Sequence, residues 1–492
     1  MKIGIDFGTS YSAAAALVKG QPQSILFDGK PEFRTAVFFS HEVEDSAPMV
    51  MTAALERELA TLIKASTASQ NQALRAHQLK QKAAAQVAGT RQRAHALAQL
   101  VAPRRLSAEA LRETALVSLR RQWLERRRRE AREHAPRLGQ ALFGEAAYDA
   151  CYAGQDGRLL HSPKSMLGYH LIGNAESLIG WVVRRILAHI RATASAQLGV
   201  DVRAAVIGRP VAFKSSLGAA GSALALDRIA QAARAAGFED IAFLEEPAAA
   251  AFDFHASCAA PCCAIVVDIG GGTTDIAVAQ MGEAVPAPRI LGTRGFARGG
   301  EDIDLDLSIA AFMPVFGMGA GVLPPTPYFN AAMLNDQDRQ RDFRAACFVD
   351  VPAPFGTRLQ RLQEPFMVTR LARQVEALKI RLSGADSAQV GLDFIEAGLG
   401  VQSTQAQLVE SADLFLRRLR EETHACVSAH GADPALVFLT GGMSQAPFVH
   451  ALLSRMYPRA QVVYGNPKLG VVHGLARYAA LASVQDRKRA SP

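Results

Sequence analysis

Two short segments of this 492-residue chain carry the residue types that phosphate chemistry needs. In the first, the apolar run Ile3-Gly4-Ile5 ends in Asp6, and Phe7, Gly8, Thr9, Ser10 and Tyr11 follow. In the second, Val266-Val267 ends in Asp268, and Ile269, Gly270, Gly271, Gly272, Thr273 and Thr274 follow. Glycine lets backbone N–H groups approach an anion closely, and successive N–H groups in a turn form an anion-binding concavity. Thr9, Ser10, Thr273 and Thr274 add hydroxyl donors. An aspartate at the end of each strand suits Mg²⁺, held through water because that ion dehydrates reluctantly. Taken singly, each segment is an ordinary Gly-rich turn. As a matched pair they predict two phosphate-binding hairpins, carried by two similar lobes that face each other across a cleft.

Such turns need strands and helices to hold them. The first 45 residues or so read as β, with strands at Ile3–Phe7 and Tyr11–Val18 around the Gly8-Thr9-Ser10 turn. From Ser162 the texture is mixed α/β: strands at Ala204–Ile207 and Ile241–Leu244, a helix at Ala223–Ala236 ended by Gly237, and a helix with Pro247 at its first position. Cys263–Asp268 is a fully apolar strand, Gly270–Thr273 a turn and Thr274–Ala279 the returning strand. Residues 301–382 read as mostly helical with a Gly/Pro-rich interruption at 313–328, and Leu436–Leu439 as a last buried strand before Gly441-Gly442. Between Met51 and His134 the chain is rich in Ala, Gln, Leu and Arg, with Leu111, Ala115, Val117 and Leu119 at helical spacing. That stretch reads as two long helices broken near Pro103.

Charge is unevenly placed. The net charge is +8, but residues 51–140 hold 18 Lys/Arg against 7 Asp/Glu and the rest of the chain is slightly acidic. The basic character therefore belongs to one segment and does not mark a nucleic-acid binder; Trp123 stands nearly alone there, without the aromatic interleaving of a single-strand binder. Arg126–Arg129 reads as a solvated helix face, although the segment could also dock on the lobes, bind a protein partner, or meet RNA or anionic lipid. Six cysteines are too few for a disulfide scaffold. Cys258, Cys262 and Cys263 cluster, yet no matching His accompanies them, so incidental thiols in a reducing cytosol are expected. No signal peptide and no apolar stretch of ~20 residues is present, which predicts a soluble cytoplasmic protein. Rival phosphate and calcium signatures fail: GxxxxGK[ST] is absent, Gly317-Met318-Gly319-Ala320-Gly321 lacks a preceding strand, and Asp302, Asp304 and Asp306 read as a charged helix start.

The two hairpins, with Leu439-Thr440-Gly441-Gly442-Met443-Ser444, are similar to the three nucleotide motifs of the actin/sugar-kinase/DnaK ATPase superfamily. Glu245-Glu246-Pro247-Ala248-Ala249-Ala250-Ala251, Arg298-Gly299-Gly300-Glu301-Asp302-Ile303-Asp304 and Val375-Glu376-Ala377-Leu378-Lys379-Ile380-Arg381-Leu382-Ser383 resemble the ATPase domain of the DnaK (seventy-kilodalton heat-shock) family, and the chain looks most like its YegD-type members. The resemblance covers residues 1–45 and about 160–485. It implies a two-lobed, ribonuclease H-like α/β fold with duplicated mixed sheets and a long helical insertion. The division it implies is 1–50 as the first part of lobe I, 51–140 as the basic insertion, 141–262 as the rest of lobe I with a crossover helix, 263–485 as lobe II with the return to lobe I, and 486–492 as a basic tail.

The resemblance also implies ATP or ADP with Mg²⁺ as ligands. Asp6 and Asp268 would hold the hydrated metal; Gly8, Thr9, Ser10 and Tyr11 would line the first phosphate loop; Gly270, Gly271, Gly272, Thr273 and Thr274 would line the second, with Thr273 at the γ-phosphate. Lys164 would position the γ-phosphate and attacking water, and Glu246 would reach the metal's water shell. Gly300, Gly441, Gly442 and Met443 would line the rest of the nucleotide site, and Glu376, Lys379 and Ser383 would fall at its nucleoside. Each has a plainer reading: Lys164 as a solvated loop lysine, Glu246 as a charge favouring a helix N-terminus, Glu376 and Lys379 as an i,i+3 pair.

Where the family clamps adenine between two arginines, this chain has Ile380 and Gln445, which lose planar stacking. Only about 50 residues follow Gly442, too few for the linker and peptide-gripping β-sandwich of DnaK. The expected activity is a slow, switch-like ATPase without peptide clamping. A weakly catalytic scaffold and a small-molecule kinase are the alternatives, and an actin-like filament former fits the Glu246-Pro247 and Gly299-Gly300 motifs less well.

Overall fold

A computed structural model describes residues 1–41, 49, 51–86, 106–133, 138–155, 157–171, 175–258, 260–282, 287–431 and 433–490. The chain divides into two compact units, Met1–Phe39 with Ala141–Pro492, and Ser40–Gln140. In chain order the strands are β1 (Lys2–Phe7), β2 (Tyr11–Val18), β3 (Gln21–Ser24), β4 (Glu32–Arg34), β5 (Ala36–His41), β6 (Leu138–Phe143), β7 (Gly157–His161), β8 (Ala204–Arg209), β9 (Asp240–Glu245), β10 (Cys262–Ile269), β11 (Thr274–Met281), β12 (Arg289–Phe296), β13 (Ser387–Gly391), β14 (Gly400–Thr404), β15 (Leu436–Thr440) and β16 (Gln461–Tyr464).

Within the first unit the duplication is explicit. One mixed sheet has the order β3-β2-β1-β8-β9, with β4 also pairing β2, and a second has the order β12-β11-β10-β15-β16. In both, an antiparallel hairpin supplies the central strand and two parallel strands continue from it. This is the duplicated α/β arrangement of the actin-like ATPase fold. Side-chain alternation along β10 explains its unbroken apolar run. Ile265, Val267 and Ile269 enter the large core of the second lobe, whereas Ala264 and Val266 enter a separate core beneath helix Glu246–His255. Both faces of a central strand are covered, so it reads as continuously hydrophobic.

Helices Glu246–His255 and Gly470–Ala490 cross in contact under the sheets. The run Ala248–Ala251 is fully buried there. A Cβ on Gly474 would lie 1.7 Å from the Ala249 carbonyl oxygen, so small residues are what allow the two backbones to approach. The second lobe continues through helix Gly300–Leu307, several short helices and helix Met367–Leu382. Phe312, Phe316, Tyr328, Phe343 and Phe415 fill its core, each burial contributing about 1.5–3 kcal/mol.

Three details differ from the sequence expectation. A further, partly exposed strand, β16, follows the buried Leu436–Thr440 and pairs parallel to it. The helix expected at residues 223–236 begins at Ala219 and ends at Ala235. The expected C-terminal tail is helical through Ala490, as an extension of helix Gly470–Ala490.

In the second unit, helices Ala53–Ala85 and Ala108–Glu133 form an antiparallel hairpin. Leu55 and Leu59 pack with Ala115 and Leu119 along a narrow seam. Arg126 makes a two-pronged pair with Glu58 at 2.7 and 2.5 Å, and Gln70 brackets the Leu106 backbone. Leu111 is buried, but Val117 is 72% exposed. Two positions beyond Ala115 on a helix is about 200° around its axis, which turns Val117 away from the seam. The break expected near Pro103 lies outside the described residues. Among the described residues no helix is long and apolar enough to cross a membrane.

Candidate functional site

The two Gly-rich turns meet. In the first hairpin Asp6 stands opposite Ala13, and in the second Asp268 stands opposite Asp275. The second turn closes through Gly270 N–H donating to the Thr273 carbonyl at 3.0 Å. From behind, Gly300 and Glu301 N–H donate to the carbonyls of Gly270 and Gly271 at 3.0 and 2.8 Å. A Cβ on Gly271 would lie 2.3 Å from Ser10 Oγ, and one on Gly272 would lie 3.2 Å from Thr9 Oγ1. The glycines are there because the other turn presses against them. Thr9 and Thr273 are buried at this junction. Thr274, in contrast, turns away and donates its hydroxyl to the Arg298 carbonyl at 2.8 Å. Gly441, at φ +85°, sits where a Cβ would lie 2.7 Å from Asp268 Oδ1, which joins the third Gly-rich motif to the second hairpin.

Lys164 belongs to the same place. It rides on a single 3₁₀ turn, Pro163–Met166, preceded by Ser162 in the left-handed region at φ +50°. The Ser162 N–H is anchored on the Thr35 carbonyl at 3.0 Å. The Lys164 side chain is only 5% exposed, and its Nζ donates to Glu246 Oε1 at 2.5 Å. A solvated loop lysine is therefore excluded. Glu246 is the first residue of its helix, so it does sit at a helix N-terminus, but its carboxylate is committed to Lys164.

The electrostatics of this cluster are strained toward negative charge. Burial, then the Glu246 carboxylate, pushes Asp6 up to about 7, with Lys164 offsetting only part of this. Burial and the carboxylates of Glu246, Asp275 and Asp6 push Asp268 well above the usual carboxylate range. Burial and Glu246 push Asp275 up to about 8, although Val211 N–H donates to its Oδ1 at 2.6 Å. Asp275 Oδ2 is buried and finds no hydrogen-bond partner among the described residues. Burial opposes the charge on Lys164, yet Glu246 and Asp6 outweigh it and hold the ammonium above its ordinary pKa.

Carboxylates that repel one another, with one lysine between them and one oxygen unpartnered, fit a divalent cation as the missing counter-charge. Among the described residues no three His, Cys, Asp or Glu side chains converge closely enough to ligate a metal directly. A cation held through its water shell is the arrangement this donor set suits.

The residues expected around a nucleoside separate into two groups. Lys379 is buried and donates to Gly300 O at 3.1 Å and to Asp304 at 2.7 Å. Burial raises Asp304 to about 6 even so. Met443 is buried beside Gly300, with its Cγ 3.2 Å from where a Gly300 Cβ would stand. Glu376 instead reaches Arg34 on β4, at 2.9 Å. Glu376 and Lys379 thus have separate partners and are not an i,i+3 pair. Ser383 donates its hydroxyl to the Lys379 carbonyl of its own helix at 3.1 Å, so it contributes to helix geometry. Ile380 is 62% exposed and Gln445 is exposed, and a Cβ on Gly442, three residues before Gln445, would meet no neighbouring atom.

Three residues of the site were not singled out from sequence. Asp275 lies in the returning strand expected at Thr274–Ala279, and closing the hairpin at residues 270–273 places it directly across from Asp268. Glu301 accepts from Ser10 Oγ at 3.3 Å, Ser162 Oγ at 2.9 Å and Asn335 Nδ2 at 3.2 Å, bridging the two lobes behind the turns. Arg34 lies over the Tyr11 ring at 4.8 Å and donates to Glu145 at 2.8 Å as well as to Glu376. No local pattern marks it.

Residues 216–305 match the MreB/Mbl protein family. The matched span contains Glu246, the whole second hairpin and Gly299-Gly300-Glu301. The match indicates the actin-like ATPase superfamily and supports a nucleotide-binding member of it, without singling out the DnaK family.

Proposed function

We propose that this chain is a DnaK-like, YegD-type ATPase module of that superfamily, which binds Mg·ATP between the turns at Asp6 and Asp268, hydrolyses it slowly, and uses the nucleotide state to change lobe closure in a cytoplasmic setting. The observation that carries the reading is the buried Lys164–Glu246 pair set among Asp6, Asp268 and Asp275. Mg²⁺ would supply neutralisation of the phosphate oxygens. Asp6, Asp268 and Glu246 would hold its water shell. Lys164, kept charged by its carboxylate neighbours, would orient the terminal phosphate and the attacking water. Gly271, Gly272 and Thr273 would present N–H and hydroxyl donors to the phosphates. The chaperone-family assignment rests on the ordered DnaK-like motifs. The insertion is assigned as a reporter to a protein partner.

A second reading, a scaffold with weak turnover, draws on the exposed Ile380 and Gln445, which offer no planar cation to a base. One experiment separates them. Mg²⁺-dependent ATP binding and single-turnover hydrolysis are measured on wild type, Asp268→Ala and Lys164→Ala. The switch reading expects wild type to bind and turn over, Asp268→Ala to lose binding, and Lys164→Ala to lose turnover alone. Absence of both activities in wild type overturns it in favour of the scaffold.

A further inference from the structure

The cysteine cluster at residues 258–263 takes no part in the site above, and its geometry is specific. Cys258 Sγ lies 3.4 Å from Cys262 Sγ. Cys258 follows the last turn of helix Glu246–His255, where its N–H donates to the His255 carbonyl at 3.1 Å, and Cys262 opens β10. The turn between them is held from outside. Gly282 N–H donates to His255 Nδ1 at 3.2 Å, and a Cβ on Gly282 would lie 2.4 Å from the Ala260 carbonyl oxygen.

Strand alternation decides which thiols belong together. Cys258 and Cys262 pack against the core that holds Ala249, Val266 and Leu475. Cys263 points to the other face of β10 and packs against the second lobe's core. Joining the adjacent Cys262 and Cys263 would require that alternation to be broken. Joining Cys258 to Cys262 requires only that the sulfurs close by a little over 1 Å, to a bond of about 2.05 Å. Both residues are partly exposed.

We propose that Cys258 and Cys262 form a reversible redox site, oxidised by a low-molecular-weight disulfide to an intramolecular disulfide that ties the end of helix Glu246–His255 to the start of β10. Whichever thiolate attacks first, it displaces one thiolate from the small disulfide and forms a mixed disulfide. The second cysteine then attacks the protein-side sulfur and releases the other small thiolate. Two S–H bonds of the protein are lost, one S–S bond forms, and the two protons end on the two small thiols, so a two-electron oxidation of the protein matches the reduction of one disulfide. Burial, then the adjoining Cys258, pushes the Cys262 thiol up to about 11, so exchange accelerates as pH rises. The bond links the two elements whose other ends carry Glu246 and Asp268. Its formation does not depend on the nucleotide reading.

The full chain is incubated with oxidised glutathione, free thiols are blocked by alkylation, and the peptide spanning residues 258–263 is sequenced by mass spectrometry. Wild type is expected to lose two alkylatable thiols at Cys258 and Cys262, and dithiothreitol is expected to restore both. Cys263→Ser should behave like wild type. Cys258→Ser and Cys262→Ser should each stop at a single glutathione adduct, with circular dichroism confirming their fold. Wild type that retains both thiols, carries only glutathione adducts, or uses Cys263 as a partner overturns the proposal.

Discussion

Lys164 Nζ and Glu246 Oε1 lie 2.5 Å apart with side chains only 5% and 8% exposed, although 82 residues separate them in the chain. A buried ion pair of this kind adds little stability over an apolar pair of equal size, but removing one partner strands a charge. Lys164→Ala is therefore expected to cost about 3–5 kcal/mol in chemical denaturation. Lys164→Met combined with Glu246→Gln should recover most of that loss. If Lys164 orients the terminal phosphate, the double variant regains stability without regaining turnover, which stays down by about 10²–10³-fold in single-turnover assays. Recovery of turnover with stability would reduce Lys164 to a structural residue.

Asp268 shows the opposite balance. Its ionised form is opposed by burial and by Glu246, Asp275 and Asp6, so Asp268→Asn removes a repulsion while preserving shape. The metal-free variant is expected to melt at or above the wild-type temperature. Wild type should gain stability on addition of Mg·ATP, by about 2.7 kcal/mol at a hundredfold excess over Kd, and the variant should gain none. Thermal scans with and without the ligand check both halves. A variant that melts lower without ligand would show that the carboxylate stabilises the fold.

Arg34 joins β4 to helix Met367–Leu382 through Glu376, with a second prong on Glu145. The guanidinium is largely buried and lies over Tyr11, which a lysine ammonium would not reproduce. A double-mutant cycle of Arg34→Ala with Glu376→Ala should return a coupling of about 1–2 kcal/mol. Arg34→Lys should retain less than half of it. Since the contact ties the sheet that carries Asp6 to the helix that carries Lys379, nucleotide release is expected to quicken several-fold in either single variant, measured by chase of a fluorescent nucleotide. A coupling within error of zero would leave the contact as coincidental proximity.

What the sequence made legible follows from the range of each interaction. The hairpins at Asp6 and Asp268 announce themselves because strand, turn glycine and hydroxyl are contiguous, and the Pro247 helix because its start signal is local. Lys164 and Glu246 were placed at the site by resemblance, since no spacing rule links residues 82 apart. The pairing of Arg34 with Glu376, 342 apart, carried no signal, because the resemblance points Glu376 toward a nucleoside and nothing marks Arg34. The strand Gln461–Tyr464 was missed because four residues give too short an alternation to stand out. Val117 was grouped with the seam of the insertion because apolar composition was counted without its angle. The contact of Cys258 with Cys262 has no sequence signature, because it depends on a turn against which Gly282 presses from about 20 residues along.

A last expectation concerns acid. His161 closes β7 just before the turn that carries Lys164. Burial, then the nearby positive charge of Arg34, holds its imidazole down at about 4, against an ordinary 6.5. Above 6.5 the ring is neutral in folded and unfolded chains alike, and it contributes no pH dependence. As pH falls through 6.5 the unfolded chain takes up a proton that the folded protein refuses until about 4. Stability must therefore decline across that window, because the unfolded state binds more protons there. At 1.36 kcal/mol per unit of displacement the full loss is bounded at about 3 kcal/mol. His161→Gln, which keeps a polar group of similar size without the titration, should flatten this part of the profile when urea midpoints are compared between pH 7 and pH 4.5. Carboxylates such as Asp304, raised by burial, push stability the other way over the same range, so the measurement is the difference between variant and wild type. Parallel profiles would mean that the unfolded chain gains no proton at His161 that the folded one lacks, and that Arg34 does not oppose its charge.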